Sequence, residues 1–221
     1  MNNYLKTYPP NVILYGGTGQ AKVVRPIIEY YGAKVVAVFD DTPGLVSPFQ
    51  DVSIYEGWQA LLCWLENTNR QSVGFCVTIG NPHGRARLRI HEQLAQLGLQ
   101  EVTVIHPTAW IADNAEIGIG CQILAGSIVC AEVKLGRCCI VNTGASIDHE
   151  SVLEDGAEVA PGATLCGVVS MGMASWVCAG ATILPRISIG ADSIVGAGAV
   201  VNKDVPPGAT VVGVPARICK A

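Results

Sequence analysis

Apolar residues in the second half of the chain recur at a fixed interval of six. Ile105, Ile111, Ile117 and Ile123 open a series that continues through Ile147, Leu165 and Val177 to Val201 without a slip. A helix needs an apolar residue every three to four positions and a half-buried strand every second one, so neither period explains a strict six. A short repeat with one buried residue per unit predicts a β-helix, in which neighbouring coils bury each other's apolar side chains. Two residues before most of these positions the side chain is small, as at Ala109, Cys121, Ala145, Ala163 and Ala199; Val133, Val169 and Ile187 are the exceptions.

Three hexads make one triangular coil, so residues 18 apart should stack. At that spacing Gly126, Gly144, Gly162, Gly180 and Gly198 form one column, and Gly118, Gly136, Gly172 and Gly190 another. A corner that demands positive φ in every coil would select glycine in this way.

The first hundred residues have a different texture. Asn11–Tyr15 reads as a buried strand leading into Gly16-Gly17-Thr18-Gly19-Gln20, followed by a helical pattern over Ala21 to Tyr31 with Val23, Val24, Ile27, Ile28 and Tyr31 on one face. Lys34–Phe39 is a second strand closing on Asp40-Asp41, and Trp58–Leu65 a second helix. Ser72–Ile79 is a third strand ending in Gly80-Asn81. Arg85–Leu97 is a third helix, with Leu88, Ile90, Leu94 and Leu97 inward. Strand, glycine loop, helix, strand and acid is the opening of a nucleotide-binding βαβ unit: loop amides and the helix N-terminus receive a phosphate, and the acid meets a ribose or base. A glycine turn that only lets helix and strand pack fits the same residues. The expected division is an α/β domain over 1–102 and an all-β prism with its tail over 103–221.

Composition sharpens this in three places. Hydrophobic residues make up 50% and charged residues 14% of the chain, and Val159 to Pro185 carries no charge. That stretch could pass for a membrane span, but the hexad runs through it in phase and glycines interrupt it. We therefore expect no membrane insertion, and charge-free coils that face partner subunits. Nine cysteines without a CxxC pair read as small core residues of a cytoplasmic protein, and the N-terminus lacks a secretion-signal core. A net charge of −4 argues against a nucleic-acid partner.

Of the four histidines, His91 and His106 read as structural, and His83 as a helix cap or a ligand contact. His149 lies inside the prism as Asp148-His149-Glu150, with Ala131 and Gly167 one coil away on either side. Adjacent carboxylates can fix an imidazole in one tautomer and strengthen it as a base, while small neighbours leave it room. A zinc site would need about three converging histidines, so no metal is expected.

Together, Val12–Val24 with its glycine loop, Phe39-Asp40-Asp41, Ile79-Gly80-Asn81, the hexapeptide prism, Val141–Glu150 and Gly213-Val-Pro-Ala-Arg217 resemble the bacterial sugar acyltransferases of the PglD/NeuD type. The resemblance covers residues 11 to 217. It implies a Rossmann-like domain that holds a UDP-amino sugar, a left-handed parallel β-helix that binds acetyl-CoA, and a homotrimer with active sites between prisms. By position it implies His149 as general base with Glu150 orienting it, and a polar contact from Asn142. Nucleotide contacts fall on Gly16, Gly17, Thr18, Gly19, Gln20, Asp40, Asp41, Gly80 and Asn81, and acetyl-CoA contacts near Gly167, Ala179 and Ala197.

Two positions depart from the family pattern: Gln20 stands where a histidine is frequent, and Glu158 where a second histidine lies near the acetyl group. An ionised carboxylate cannot donate a hydrogen bond to a thioester carbonyl, so a backbone amide such as that of Gly167 is the expected oxyanion donor. The implied reaction is N-acetylation of a UDP-4-amino sugar. O-acetylation of a sialic-acid-like sugar, a non-catalytic sugar-nucleotide-binding trimer and a carbonic-anhydrase-like metalloenzyme are the alternatives.

Overall fold

The computed structural model describes residues 8–80 and 82–220. Its N-terminal part is a five-stranded parallel sheet of β1 (Asn11–Tyr15), β2 (Lys34–Asp40), β3 (Ile54–Glu56), β4 (Val73–Val77) and β5 (Gln100–Glu101), in the order β3-β2-β1-β4-β5. Helices α1 (Gly19–Tyr30), α2 (Gly57–Glu66) and α3 (Gly84–Gln96) connect the strands. The short β3 has no apolar run of its own and was not anticipated; it pairs with the edge of β2.

One side of the sheet packs with α1, through Ala21, Val24, Ile27 and Ile28, and the other with α2 and α3. Two inward assignments need correction. Val23 is 43% exposed, because Ala21 takes the core position on that turn of α1. On α3 the fully buried positions include Arg87 and His91, while Leu88 and Leu97 are only half-buried. Both polar residues face the prism, a neighbour that the helical period cannot reveal.

From Val104 the chain winds into a left-handed parallel β-helix of two-residue strands on three faces. Face one begins with Val104–Ile105 and repeats at Gln122, Ile140, Glu158, Trp176 and Ile194. Face two begins with Trp110–Ile111 and repeats at Ile128, Ser146, Thr164, Thr182 and Val200. Face three begins with Glu116–Ile117 and repeats at Lys134, Val152, Ser170 and Ser188. From Val104 to Val201 stacked partners are 18 residues apart, as Glu158 with Ile140 and Trp176. The hexad residues fill the interior: Ile123, Val141, Ile147, Leu165 and Val195 are fully buried. The tail does not hang free. Thr210–Val212 extends face one, and Arg217–Lys220 returns antiparallel to it.

The two glycine columns have different causes. Gly126, Gly144, Gly162, Gly180 and Gly198 have φ of 64–66° and turn the corner from face one to face two. The other column does not need positive φ: a Cβ on Gly172 would lie 2.5 Å from the Ala191 amide nitrogen of the next coil. There glycine is selected by the close approach of backbones. The charge-free stretch forms five successive strands of the prism, and among the described residues no helix is long and apolar enough to cross a membrane.

Face one is where the two parts meet. Leu124 and Ile140 join the core of Val12, Val24, Val102 and Val104, so the prism completes the hydrophobic layer over α1. At the corner between faces three and one, Gly84 at the start of α3 sits against Gly156 and Ala174 with no room for a Cβ. Arg87 crosses this seam. Its Nε donates to Cys138 O at 2.9 Å, and its terminal nitrogens donate to Ile79 O at 2.7 Å and Gly156 O at 2.8 Å.

Candidate active site

A cavity of about 530 Å³ opens at the C-terminal ends of β1, β2 and β4, where the strand order reverses around β1. This is the ligand crevice of an open parallel sheet. Tyr15, Gly16, Thr18, Gly19, Gln20, Asp40, Asp41 and Gly80 line it, so most of the residues singled out by the βαβ pattern come together. Gly17 does not line it, and Asn81 lies outside the described residues.

The glycines divide by role. Gly16 has φ +113°, and a Cβ there would lie 2.6 Å from Thr78 O; a Cβ on Gly17 would lie 2.6 Å from Ile54 Cδ1. These two are glycine so that the loop can pack. Gly19 and Gly80 have only open space where a Cβ would be, and α1 begins at Gly19. Its N-terminus therefore faces the cavity with nothing to screen a phosphate from the amides.

The two acids divide as well. Asp40 accepts from the Gly17 amide at 2.6 Å and the Thr42 amide at 2.8 Å, so both its oxygens organise the loop. Asp41 accepts from the Tyr15 hydroxyl at 2.6 Å. Burial, and then the bond to Asp41, push the Tyr15 phenol well above its ordinary value and keep it a donor. Asp41 is thus the carboxylate better placed to meet a ribose. Gln20 lines the cavity but donates to Gln122 Oε1 at 2.7 Å, and Gln122 in turn donates to Val77 O at 2.9 Å. The residue in the histidine's place ties the glycine loop to face one. His83 also lines the cavity; it begins α3 without capping it through its side chain.

His149 stands at the corner between faces two and three. Its Nδ1 lies 2.9 Å from Glu150 Oε2, and its backbone amide donates to Asp148 Oδ1 at 2.8 Å. Glu150 has φ 59°, held by its amide donating to Ala131 O at 2.9 Å. This left-handed turn points its carboxylate back at the imidazole. With Nδ1–H donating to Glu150, Nε2 carries the free lone pair. The imidazole lies over Gly167, where a Cβ would stand 2.5 Å from Nε2. Half of the His149 side chain remains exposed.

Asn142 and Glu158 lie elsewhere. Glu158 is 6% exposed on face one, with Oε2 3.9 Å from Arg87 and Oε1 3.5 Å from Asn142 Nδ2. Gly167 flanks one edge of face two, while exposed Ala179 and Ala197 flank the other. Among the described residues no group of three His, Cys, Asp or Glu could hold a metal ion.

The nucleotide cavity with a buttressed imidazole on a hexapeptide prism defines the class of left-handed β-helix acyltransferases that act on nucleotide-linked sugars. Residues 11–94 match the PglD N-terminal domain. Over 96% of this chain and 97% of the other, the fold matches GDP-perosamine N-acetyltransferase from Caulobacter crescentus, solved with CoA and GDP-perosamine, at 32% identity and a TM-score of 0.86. The acetyltransferase domain of PglB from Neisseria gonorrhoeae, in complex with acetyl-CoA, matches at 28% identity and 0.83 over 95% and 98% of the two chains. WeeI from Acinetobacter baumannii matches at 27% and 0.77 over 94% and 98%. The chain belongs to the PglD-type family of hexapeptide-repeat sugar acetyltransferases, and is an acetyl-CoA-dependent enzyme.

Proposed function

We propose that the enzyme transfers the acetyl group of acetyl-CoA to the amine of a nucleoside-diphosphate-linked 4-amino sugar, with His149 as general base, in the cytoplasm where acetyl-CoA is made. Residues 1–102 hold the nucleotide and 103–221 carry the acyl transfer. UDP is the nucleotide expected from the sequence resemblance; the Caulobacter relative takes GDP-perosamine. The observation that carries this reading is the His149–Glu150 pair at 2.9 Å, with the imidazole seated on Gly167 and half of the His149 side chain exposed.

The neutral amine attacks the thioester carbonyl carbon as Nε2 removes its proton. The C–N bond forms, the carbonyl oxygen becomes an oxyanion and the amide of Gly167 stabilises it. Collapse breaks the C–S bond, and the proton held on Nε2 passes to the departing CoA sulfur. No acyl-enzyme is required. The relative's structures with CoA and GDP-perosamine include histidine-to-alanine and histidine-to-asparagine variants, which supports the assignment of a histidine to this reaction.

The site is assigned to two chains. The nucleotide cavity belongs to the part packed on face one, whereas His149 stands at the corner opposite that face. Two copies in a homotrimer bring the cavity of one to the His149 of the next.

The test is release of CoA from acetyl-CoA with UDP- and GDP-4-amino sugars, beside CMP-linked nonulosonic acids. Turnover with the amino sugars alone is expected. Turnover only with the hydroxyl acceptor would replace N- by O-acetylation, and turnover with none of them would overturn the reading.

A further inference from the structure

A second cavity, of about 280 Å³, lies at the seam between α3 and face one. His83 lines both this cavity and the nucleotide pocket, so the two meet at the start of α3. Beyond His83 the walls are Trp176 and, one coil on, Ile194. Nothing in the function derived above uses this space.

Trp176 is the anomaly there. Its Nε1 is buried and has no hydrogen-bond partner among the described residues. Buried indole N–H groups normally find an acceptor, because leaving one unmade forfeits its solvation. The cation that lines the cavity is already matched: Arg85 donates to Asp192 through Nε at 2.5 Å and a terminal nitrogen at 2.6 Å. With that charge neutralised and Ala86, Ala174 and Ile194 contributing carbon, the cavity suits a neutral ring with an acceptor oxygen better than a phosphate.

Its position says which ring. The two cavities share His83, and Gly80, three residues before it, lies on the nucleotide side, so a group carried beyond a nucleotide's phosphates can reach the second cavity past His83. We infer that Trp176 and His83 form the hexose subsite of the acceptor. The sugar ring lies against the indole, and Trp176 Nε1 donates to a ring hydroxyl. This rests on the proposed nucleotide-sugar acceptor and makes Trp176 the residue by which the enzyme distinguishes a sugar nucleotide from the bare nucleotide.

The test is calorimetric titration of the full-length protein and its Trp176→Phe variant with UDP, GDP and the corresponding 4-amino sugar nucleotides. Acetyl-CoA affinity serves as the control for an intact prism. Phenylalanine keeps the ring but removes the N–H. The variant is expected to bind the bare nucleotide as the wild type does and the sugar nucleotide about tenfold more weakly. Equal sugar-nucleotide affinity in the two proteins, or equal weakening of bare nucleotide and sugar nucleotide, would overturn the subsite while leaving the acceptor class standing. Failure of the wild type to bind any of the four ligands would overturn both.

Discussion

The imidazole of His149 occupies the volume that a side chain on Gly167 would fill: a Cβ there would stand 2.5 Å from Nε2 and 2.6 Å from Cε1. The 18-residue stacking of the prism therefore does more than bury the hexad residues, since it puts a glycine under the half-exposed histidine that Glu150 buttresses. Gly167→Ala should push the ring off its seat without straining the backbone, because Gly167 does not adopt positive φ. We expect kcat to fall ten- to a hundredfold, with the melting temperature and sugar-nucleotide affinity unchanged. Steady-state kinetics beside thermal melts check this; an unchanged kcat would remove His149 from the base position.

Gly16 and Gly19 sit three residues apart and should answer substitution in opposite ways. Gly16→Ala forces a side chain into positive φ and against Thr78 O, costing about 2 kcal/mol of stability. Gly19→Val meets nothing within the protein, so the fold should hold while nucleotide binding is lost. Urea denaturation and nucleotide titration of both variants separate the two roles. Loss of stability in Gly19→Val with affinity retained would contradict the division.

How much of this the sequence disclosed follows from where each cause lies. The prism was legible because one physical demand, an inward aliphatic side chain, is repeated at every sixth residue from Ile105 to Val201. His149 was legible because the same arithmetic shows its small neighbours. Arg87 was not: on α3 it reads as a solvent-facing charge, and its burial depends on three carbonyls, two of them from coils 51 and 69 residues away. Gly17 was read as a ligand contact because a motif records that glycine is needed and not why; here the reason is Ile54. Trp176 carried no signal beyond being an outward residue of the repeat, since its importance lies in an unmet hydrogen bond.

Arg87 and Glu158 make a prediction about the seam. The guanidinium is fully buried, and removing it strands the carbonyls of Ile79, Cys138 and Gly156 and takes away a positive charge 3.9 Å from the Glu158 carboxylate. Arg87→Met should cost roughly 3–5 kcal/mol. The double variant Arg87→Met with Glu158→Gln should recover part of that loss, because the buried negative charge that Arg87 offsets is removed with it. A double-mutant cycle in urea measures the coupling; strict additivity would mean that Glu158 does not sense Arg87.

His91 gives the seam a pH dependence. Its Nε2 lies 2.8 Å from Glu101 Oε1, and its ring packs on Phe75 with centroids 4.8 Å apart, where Gly120 has no room for a Cβ. Burial pushes its pKa down, outweighing the opposite pull of Glu101. With the folded value below the unfolded value of about 6.5, the unfolded chain binds more protons as pH falls below that point. Stability present above pH ~6.5 should therefore decline as pH falls through the window beneath it. Thermal melts across that window should show a shallower decline for His91→Asn, from a lower starting stability. An identical slope in the two proteins would relieve His91 of this role.

The division of the site between two copies can be tested by mixing two inactive proteins. His149→Ala keeps the nucleotide cavity and loses the base; Gly19→Val keeps the base and obstructs the cavity. If cavity and base act within one chain, no mixture can contain an intact site, because every chain carries one defect. If the site pairs the cavity of one copy with the His149 of the next, random mixed trimers join an intact cavity to an intact base at about a quarter of their interfaces. Co-expression, or unfolding and refolding of an equal mixture, should then restore roughly a quarter of wild-type turnover, while each variant alone stays near background. A mixture as inactive as its parts, with mixed trimers verified by mass, would overturn the pairing of one copy's cavity with the next copy's His149.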